Sequence, residues 1–362
     1  MSRRTVLRPS IFCGLLLLVI LAVTLILNTN PIGFSKNALF QTKSPNPILK
    51  VEGKLSWAGD DSYYNYHSGN LKKILSNGKA VWDLKLHENL LWMGPEGIVV
   101  MRDKLLTLLD SDGTEVFQKS DLPDKIRILC FQDKYLLLSG KLQSEEYGIL
   151  LSDSGNIMWQ LPFTGSIISG SVHPKGIYTA LNIIDDKAMS RLVVIGSEGE
   201  ILLDNTYSEP LYHVEAISQG IGVIAGDRAY LMDYDGKVLW EHEFKGQILR
   251  GDMGSDGFTI VVVEENVGNL SKDMYLQLIM ISGIGKQVCS YSLDTRANLV
   301  EKYGDFIYIV DDYGVMVLSQ EGLLVSNIKQ KGIKELQVTD KNRIIAIQEN
   351  ESLLFESLYG GN

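Results

Sequence analysis

The chain is 362 residues long, 45% apolar and 22% charged, a composition that excludes disordered and fibrous proteins. Its net charge of −10 is uneven: residues 1–50 carry six Lys or Arg and no acid, leaving 28 basic and 44 acidic side chains in 51–362. That acidic body argues against nucleic acid as a partner, and three Cys exclude a disulfide scaffold.

The first predicted element is a membrane helix over 9–28. Arg8 and Lys36 enclose 27 residues without a charge, and a spanning helix needs about 20 mostly apolar residues. Arg3, Arg4 and Arg8 precede it, which places the N-terminus in the cytoplasm. The exit Leu25-Ile26-Leu27-Asn28-Thr29-Asn30-Pro31 lacks the small residues that signal peptidase needs, so the helix is expected to stay as a signal anchor. Residues 1–8 are then a cytoplasmic tail and 29–47, rich in Pro, Asn and Ser, a tether. Residues 48–362 form an extracytoplasmic domain of a single-pass protein of the cell membrane. The segment 2–8 also resembles a twin-arginine export motif, so the export route stays open.

The body repeats one unit: an apolar strand, a turn ending in Gly, then a strand with a bulky residue four positions on. The instances are Gly78 with Trp82, Gly113 with Phe117, Gly155 with Trp159, Gly199 with Leu203, and Gly236 with Trp240. Weaker copies are Gly285 with Cys289 and Gly322 with Ser326. The glycines lie 35 to 49 residues apart, and a period of about 40–45 built of short strands marks propeller blades. Asn-Gly and Asp-Gly supply the positive φ of tight hairpins. Third strands are expected at 104–109, 148–151, 191–195, 228–232, 276–281 and 314–318. First and second strands are read at 126–130 with 135–138, 214–217 with 221–225, and 299–303 with 306–310. The Trp residues are expected to cover the neighbouring blade's turn.

The fold class is therefore all-β: a single propeller of four-stranded blades, eight favoured over seven. Gly53-Lys54-Leu55-Ser56-Trp57 is an eighth match to the repeat. After Gly322 only three strands remain (335–338, 343–348 and 352–358), so a strand within 48–57 is expected to complete that blade and close the ring.

Leu-x-Asp-x-x-Gly-Lys-x-x-Trp, clearest at 231–240, resembles the PQQ-like propeller repeat, and the likeness covers 53–358. Quinoprotein dehydrogenases and the propeller lipoprotein of outer-membrane protein assembly carry that repeat. Anchor, tether and single propeller together resemble signal-anchored propeller proteins of the Gram-positive envelope. The dehydrogenases bring a vicinal Cys pair, a calcium site and added loops. Cys130 and Cys289 are not adjacent and the loops here are short, so no quinone cofactor is expected.

No constellation carries chemistry. No two of His67, His87, His173, His213 and His242 lie within four residues, though His173 and His213 fall on or beside first strands. Asp110-x-Asp112-Gly113 and Asp233-x-Asp235-Gly236 begin like calcium loops but lack the closing Glu, and read as turns. Catalytic, cofactor-binding and metal residues are all expected to be none. Cys130 on a first strand and Cys289 on a fourth are expected to be free thiols. The leading reading is a non-catalytic scaffold on the cytoplasmic membrane that binds a protein or cell-wall polymer through the longest loops, 143–147, 184–190 and 264–273. The alternatives are a quinoprotein-like oxidoreductase and a sensor of wall or sugar ligands.

Overall fold

The computed structural model describes residues 45–266, 274–340 and 343–356. The expected anchor and nearly all of the tether lie outside the described residues, among which no helix is long and apolar enough to cross a membrane.

The described residues form eight antiparallel sheets of four strands each. Blade 1 consists of Lys54–Trp57, Ser62–His67, Asn70–Leu75 and Ala80–Lys85, in that order. Blades 2 to 7 repeat the order over 89–119, 124–163, 166–207, 211–243, 247–293 and 299–328. In blades 1 to 7 first strands pack on neighbouring first strands, so they line the axis and fourth strands form the rim. Blade 8 takes Glu335–Val338, Ile344–Ile347 and Glu351–Phe355, and its rim strand is Leu49–Glu52. There are eight blades, not seven.

Burial follows this layout. Second strands are covered on both faces by adjacent blades, so Ile260, Val261, Val262 and Val263 are fully buried and read as a continuous apolar run. Rim strands such as Ala80–Lys85 alternate between half-buried and exposed. Several expected strands lengthen or shift: the third strand of blade 3 spans Glu145–Ser152, that of blade 7 Val315–Ser319, and the first strand of blade 3 Asp124–Gln132.

Blades interlock at the turn before each rim strand. In blade 1 the Leu75 amide donates to the Lys79 carbonyl and the Gly78 amide to the Leu75 carbonyl. The ladder slips by one residue beside the turn. This is a three-residue hairpin in which a left-handed residue forms the bulge. Gly78, Gly113, Gly155, Gly199, Gly236, Gly285 and Gly322 all hold φ between +76° and +87°. Each also faces a side chain of the preceding blade: Leu49, Trp82, Phe117, Trp159, Leu203, Trp240 and Cys289 respectively. The Trp82 indole N–H donates to the Ser111 carbonyl at 3.3 Å and that of Trp240 to the Gly283 carbonyl at 3.0 Å. Each covering aromatic ring contributes about 2–3 kcal/mol of apolar burial.

Some of these glycines answer to two constraints and others to one. A methyl group on Gly285 would sit 2.7 Å from Trp240 Cβ, whereas one on Gly113 would keep 3.8 Å from Trp82. Gly285→Ala is therefore expected to cost about 3 kcal/mol, combining backbone strain with overlap, and Gly113→Ala about 1 kcal/mol from strain alone. Urea denaturation of the two variants checks this, and equal losses would show that packing on the next blade adds nothing.

The ring closes through its N-terminal strand. Leu49–Glu52 pairs antiparallel with the strand before the C-terminus, from Leu49 opposite Leu354 to Glu52 opposite Glu351. The expected strand within 48–57 is in fact two, broken at Gly53. Leu49–Glu52 is the rim of blade 8, and Lys54–Trp57 starts blade 1 on the axis. Gly53 has φ +83°, and a methyl group there would overlap the Tyr66 carbonyl. It is thus a crossover glycine rather than a repeat glycine, and Trp57 lies on an inner strand. Ser352 Oγ accepts from the Leu55 amide at 3.0 Å and donates to the Gly53 carbonyl at 2.8 Å. Lys54 pairs with Glu335 at 2.7 Å, and Arg343 of blade 8 bonds Asp61 and Tyr63 of blade 1. Beneath them Leu55, Tyr63 and Ile74 pack on Ile345, Ile347 and Leu354.

Closure covers a sheet edge that would otherwise template aggregation. Deleting residues 45–52 is expected to cost on the order of 5 kcal/mol, comparable to the whole stability of many domains. Calorimetry and light scattering test it: the truncated chain should melt at lower temperature and aggregate, and an unchanged melt would show that the seam is sealed without this strand.

Candidate binding surfaces: the axial channel and the loop end of the ring

Two ends of the ring follow from the topology. One, the turn end, carries first-to-second hairpins and the glycine turns. The other, the loop end, carries second-to-third hairpins and the crossovers between blades. Of the loops expected to make contacts, 143–147 and 184–190 therefore belong to the loop end, as do the described residues of 264–273. The first is mostly strand: Tyr135–Leu142 and Glu145–Ser152 leave only Gln143 and Ser144 at the tip. The second spans 185–189 between its strands, where Asp185 Oδ1 accepts from the Lys187 and Met189 amides. Part of the third, 267–273, lies outside the described residues.

The channel gathers acids from three adjacent blades. His213 Nε2 on the first strand of blade 5 lies 3.6 Å from Asp252 Oδ1 of blade 6 and 3.9 Å from Glu215 Oε2. Asp252 Oδ2 accepts from the Lys302 amide of blade 7 at 2.7 Å. Burial, with Asp252 nearby, pushes the Glu215 carboxyl up to about 7; its bond to Ser171 works against that. Burial, then Asp252 and Glu335, push Glu301 up to about 7. Burial lowers the His213 imidazole, and Asp252 opposes it. These groups come from positions 213, 215, 252 and 301, a spread that no local motif in the sequence signals.

His173 is not part of this group. It follows the first strand of blade 4 at the turn end and packs edge-on against Tyr178 and Tyr234, with ring centres 6.4 Å away. Its Nδ1 accepts from the Lys175 amide. His213 lies toward the loop end, so the two histidines are not brought together. Asp110 and Asp233 each turn a carboxylate back onto their own hairpin: Asp110 accepts from the Asp112 and Thr114 amides, and Asp233 from those of Asp235 and Lys237. Asp311 does the same for Tyr313 and Gly314. Cys130 and Cys289 are free thiols on first and fourth strands, and burial pushes Cys130 up to about 12.

A cleft of about 570 Å³ opens between blades 3 and 4, lined by Lys125, Ile126, Arg127, Lys141, Glu146, Ser166 and Ile168. All seven lie at the loop-end tips of their strands. Glu146 is 3% exposed and bonds Arg127 Nη2 at 2.6 Å, and the same nitrogen donates to the Ile167 carbonyl at 2.6 Å.

This geometry defines a class, the eight-bladed β-propeller. Solved structures agree on the fold. BamB from Moraxella catarrhalis is similar at 12% identity and a TM-score of 0.56, over 86% of this chain and 99% of that one. The WD40 domain of SCAP from fission yeast is similar at 9% identity and 0.52, over 87% and 98%. A eukaryotic initiation factor is similar at 10% identity and 0.54, over 85% and 89%. No family model and no curated relative matches the sequence.

The channel acids make a pH prediction. Glu215 and Glu301 hold a proton more tightly folded than unfolded. Their contribution is full below the ordinary glutamate range and is lost as pH rises through 7. His213 runs the other way and loses its contribution as pH falls below the ordinary imidazole range. Glu215→Gln and Glu301→Gln, which mimic the protonated forms, are expected to stabilise the protein at pH 8 by on the order of 2 kcal/mol each. At pH 5 they should change little. Thermal melts at both values check this, and a gain of equal size at pH 5 would show that carboxylate burial is not its cause.

Proposed function

We propose that this chain is a non-catalytic scaffold, held at the cytoplasmic membrane by residues 9–28, whose propeller lies outside the cell membrane. Its loop end binds a protein or an envelope polymer. The observation that carries the reading is that the second and third strands of blades 3, 4 and 6, the longest such pairs, extend toward one end of a closed ring. Closure fixes their spacing, and loops on a rigid frame are where binding concentrates. The fold shared with BamB and with the WD40 domain of SCAP supports a scaffold, because a ring of blades offers two loop-bearing ends without needing a reactive centre. The Arg-rich flank at residues 3–8 supports the orientation.

Two measurements test the reading. N-terminal sequencing of the chain from membranes is expected to find residues 1–30 retained; a mature chain starting beyond Asn30 would overturn the anchor. A photo-crosslinking residue in place of Ser144 or Lys187, at the hairpin tips, is expected to capture a partner in cells. The same residue in place of Lys79, at the turn end, should not. Capture from Lys79 alone would move the binding surface to the other end, and a visible chromophore copurifying with the chain would overturn the non-catalytic assignment.

A further inference from the structure

The cleft between blades 3 and 4 has the wrong charge for this protein. The body from 51 to 362 carries 28 basic and 44 acidic side chains, yet the cleft walls present Lys125, Arg127 and Lys141 against one acid, Glu146. That acid is buried and committed to Arg127. The neighbouring Asp124 is drawn off to Lys104 of blade 2 at 2.8 Å. Among the described residues neither Lys125 nor Lys141 meets a carboxylate, so the cleft keeps an excess of two positive charges.

The backbone is shaped to hold them there. The first strand of blade 3 slips register between Asp124 and Arg127, and within that bulge Lys125 takes φ +55°. A left-handed Lys inside a strand is a strained conformation, and bulges of this kind re-aim side chains beside binding sites. Arg127 is equally fixed. One nitrogen is held by both Glu146 and the Ile167 carbonyl, while the side chain remains 52% exposed. Its Nε and Nη1 donors meet no protein acceptor among the described residues. A guanidinium anchored on one side and open on the other is arranged to take a carboxylate. Beside these cations stands Ile168, 51% exposed. An inorganic anion has no use for such apolar surface.

We infer that this cleft binds an acidic segment of a partner protein, with carboxylates meeting Arg127 and the two lysines and an aliphatic side chain against Ile168. Its volume falls in the usual range for a ligand site of several hundred Å³. Its charge, opposite to that of the acidic body around it, suits an acidic occupant. Glu146 serves as a positioning residue that aims Arg127. This inference rests on the scaffold reading and names the partner's chemistry at the same end of the ring.

The test uses the full-length chain in detergent and an array of six-residue peptides built from Asp or Glu with Leu, Ile or Phe, each beside its Asn or Gln twin. Acidic peptides are expected to be retained about tenfold better than their neutral twins, and retention should fall with salt. Lys125→Glu combined with Lys141→Glu should abolish the preference without moving the melting temperature. Ile168→Asp should weaken it, and Glu146→Gln should reduce it while the lysines keep its salt dependence. Equal retention of acidic and neutral peptides, or full displacement by inorganic phosphate at about the same concentration as peptide, would overturn the inference. So would a charge-reversed variant that binds as well as the parent. Crosslinking separates this failure from that of the scaffold reading. Capture of a protein from Lys187 that the charge-reversed variant leaves unchanged retains the scaffold and rejects the cleft. Absence of capture from Ser144, Lys187 and a crosslinker in place of Ile168 rejects the scaffold itself.

Discussion

The structure depends on one contact made seven times: a side chain of one blade resting on the turn glycine of the next. The glycine must be left-handed for the hairpin to close, and at Gly155, Gly199, Gly236, Gly285 and Gly322 it must also lack a Cβ for the neighbour to sit down. The turn that ends one blade is thus also the place where the preceding blade docks. Leu49 over Gly78 belongs to this series, although it comes from the start of the chain. It fills on blade 8 the place that a local rim strand fills on the others. Ring closure is therefore the same interaction, made between residues far apart in sequence.

A ring held at its rim leaves the first strands free to carry polar groups. Blades 5, 6 and 7 use that freedom for His213, Glu215, Asp252 and Glu301, and burial raises the two glutamates. Burying like charges is costly. Raising Glu215 and Glu301 to about 7 limits that cost near neutral pH, and the Lys302 amide meets Asp252. The acidic character of the body thus extends to its axis.

Against that background the recess between blades 3 and 4 is the exception, and its geometry comes from strand irregularity rather than from an inserted loop. A register slip and a left-handed Lys125 open the first strand of blade 3 where blade 4 begins. A scaffold can thus gain a charged recess without disturbing the rim contacts that hold the ring.

The sequence by itself determined the repeat, the turn glycines, the all-β class and the strands that Cys130 and Cys289 occupy. These rest on local rules: a hairpin needs φ above zero at one place, and blades recur at the length of four short strands. The ring's need for a closing strand was also legible, because only three strands were read after the rim strand that follows Gly322. Only the tertiary structure decided that residues 48–57 divide at Gly53. A rim strand of one blade and an axial strand of the next run in opposite directions, and the reversal needs a residue that no periodicity marks. Only the packing of blade 5 on blade 6 brings Asp252 beside His213, and only the strand order within blade 3 brings Glu146 beneath Arg127. Proximity between residues tens of positions apart depends on strand register and blade packing, which pattern along the chain does not encode.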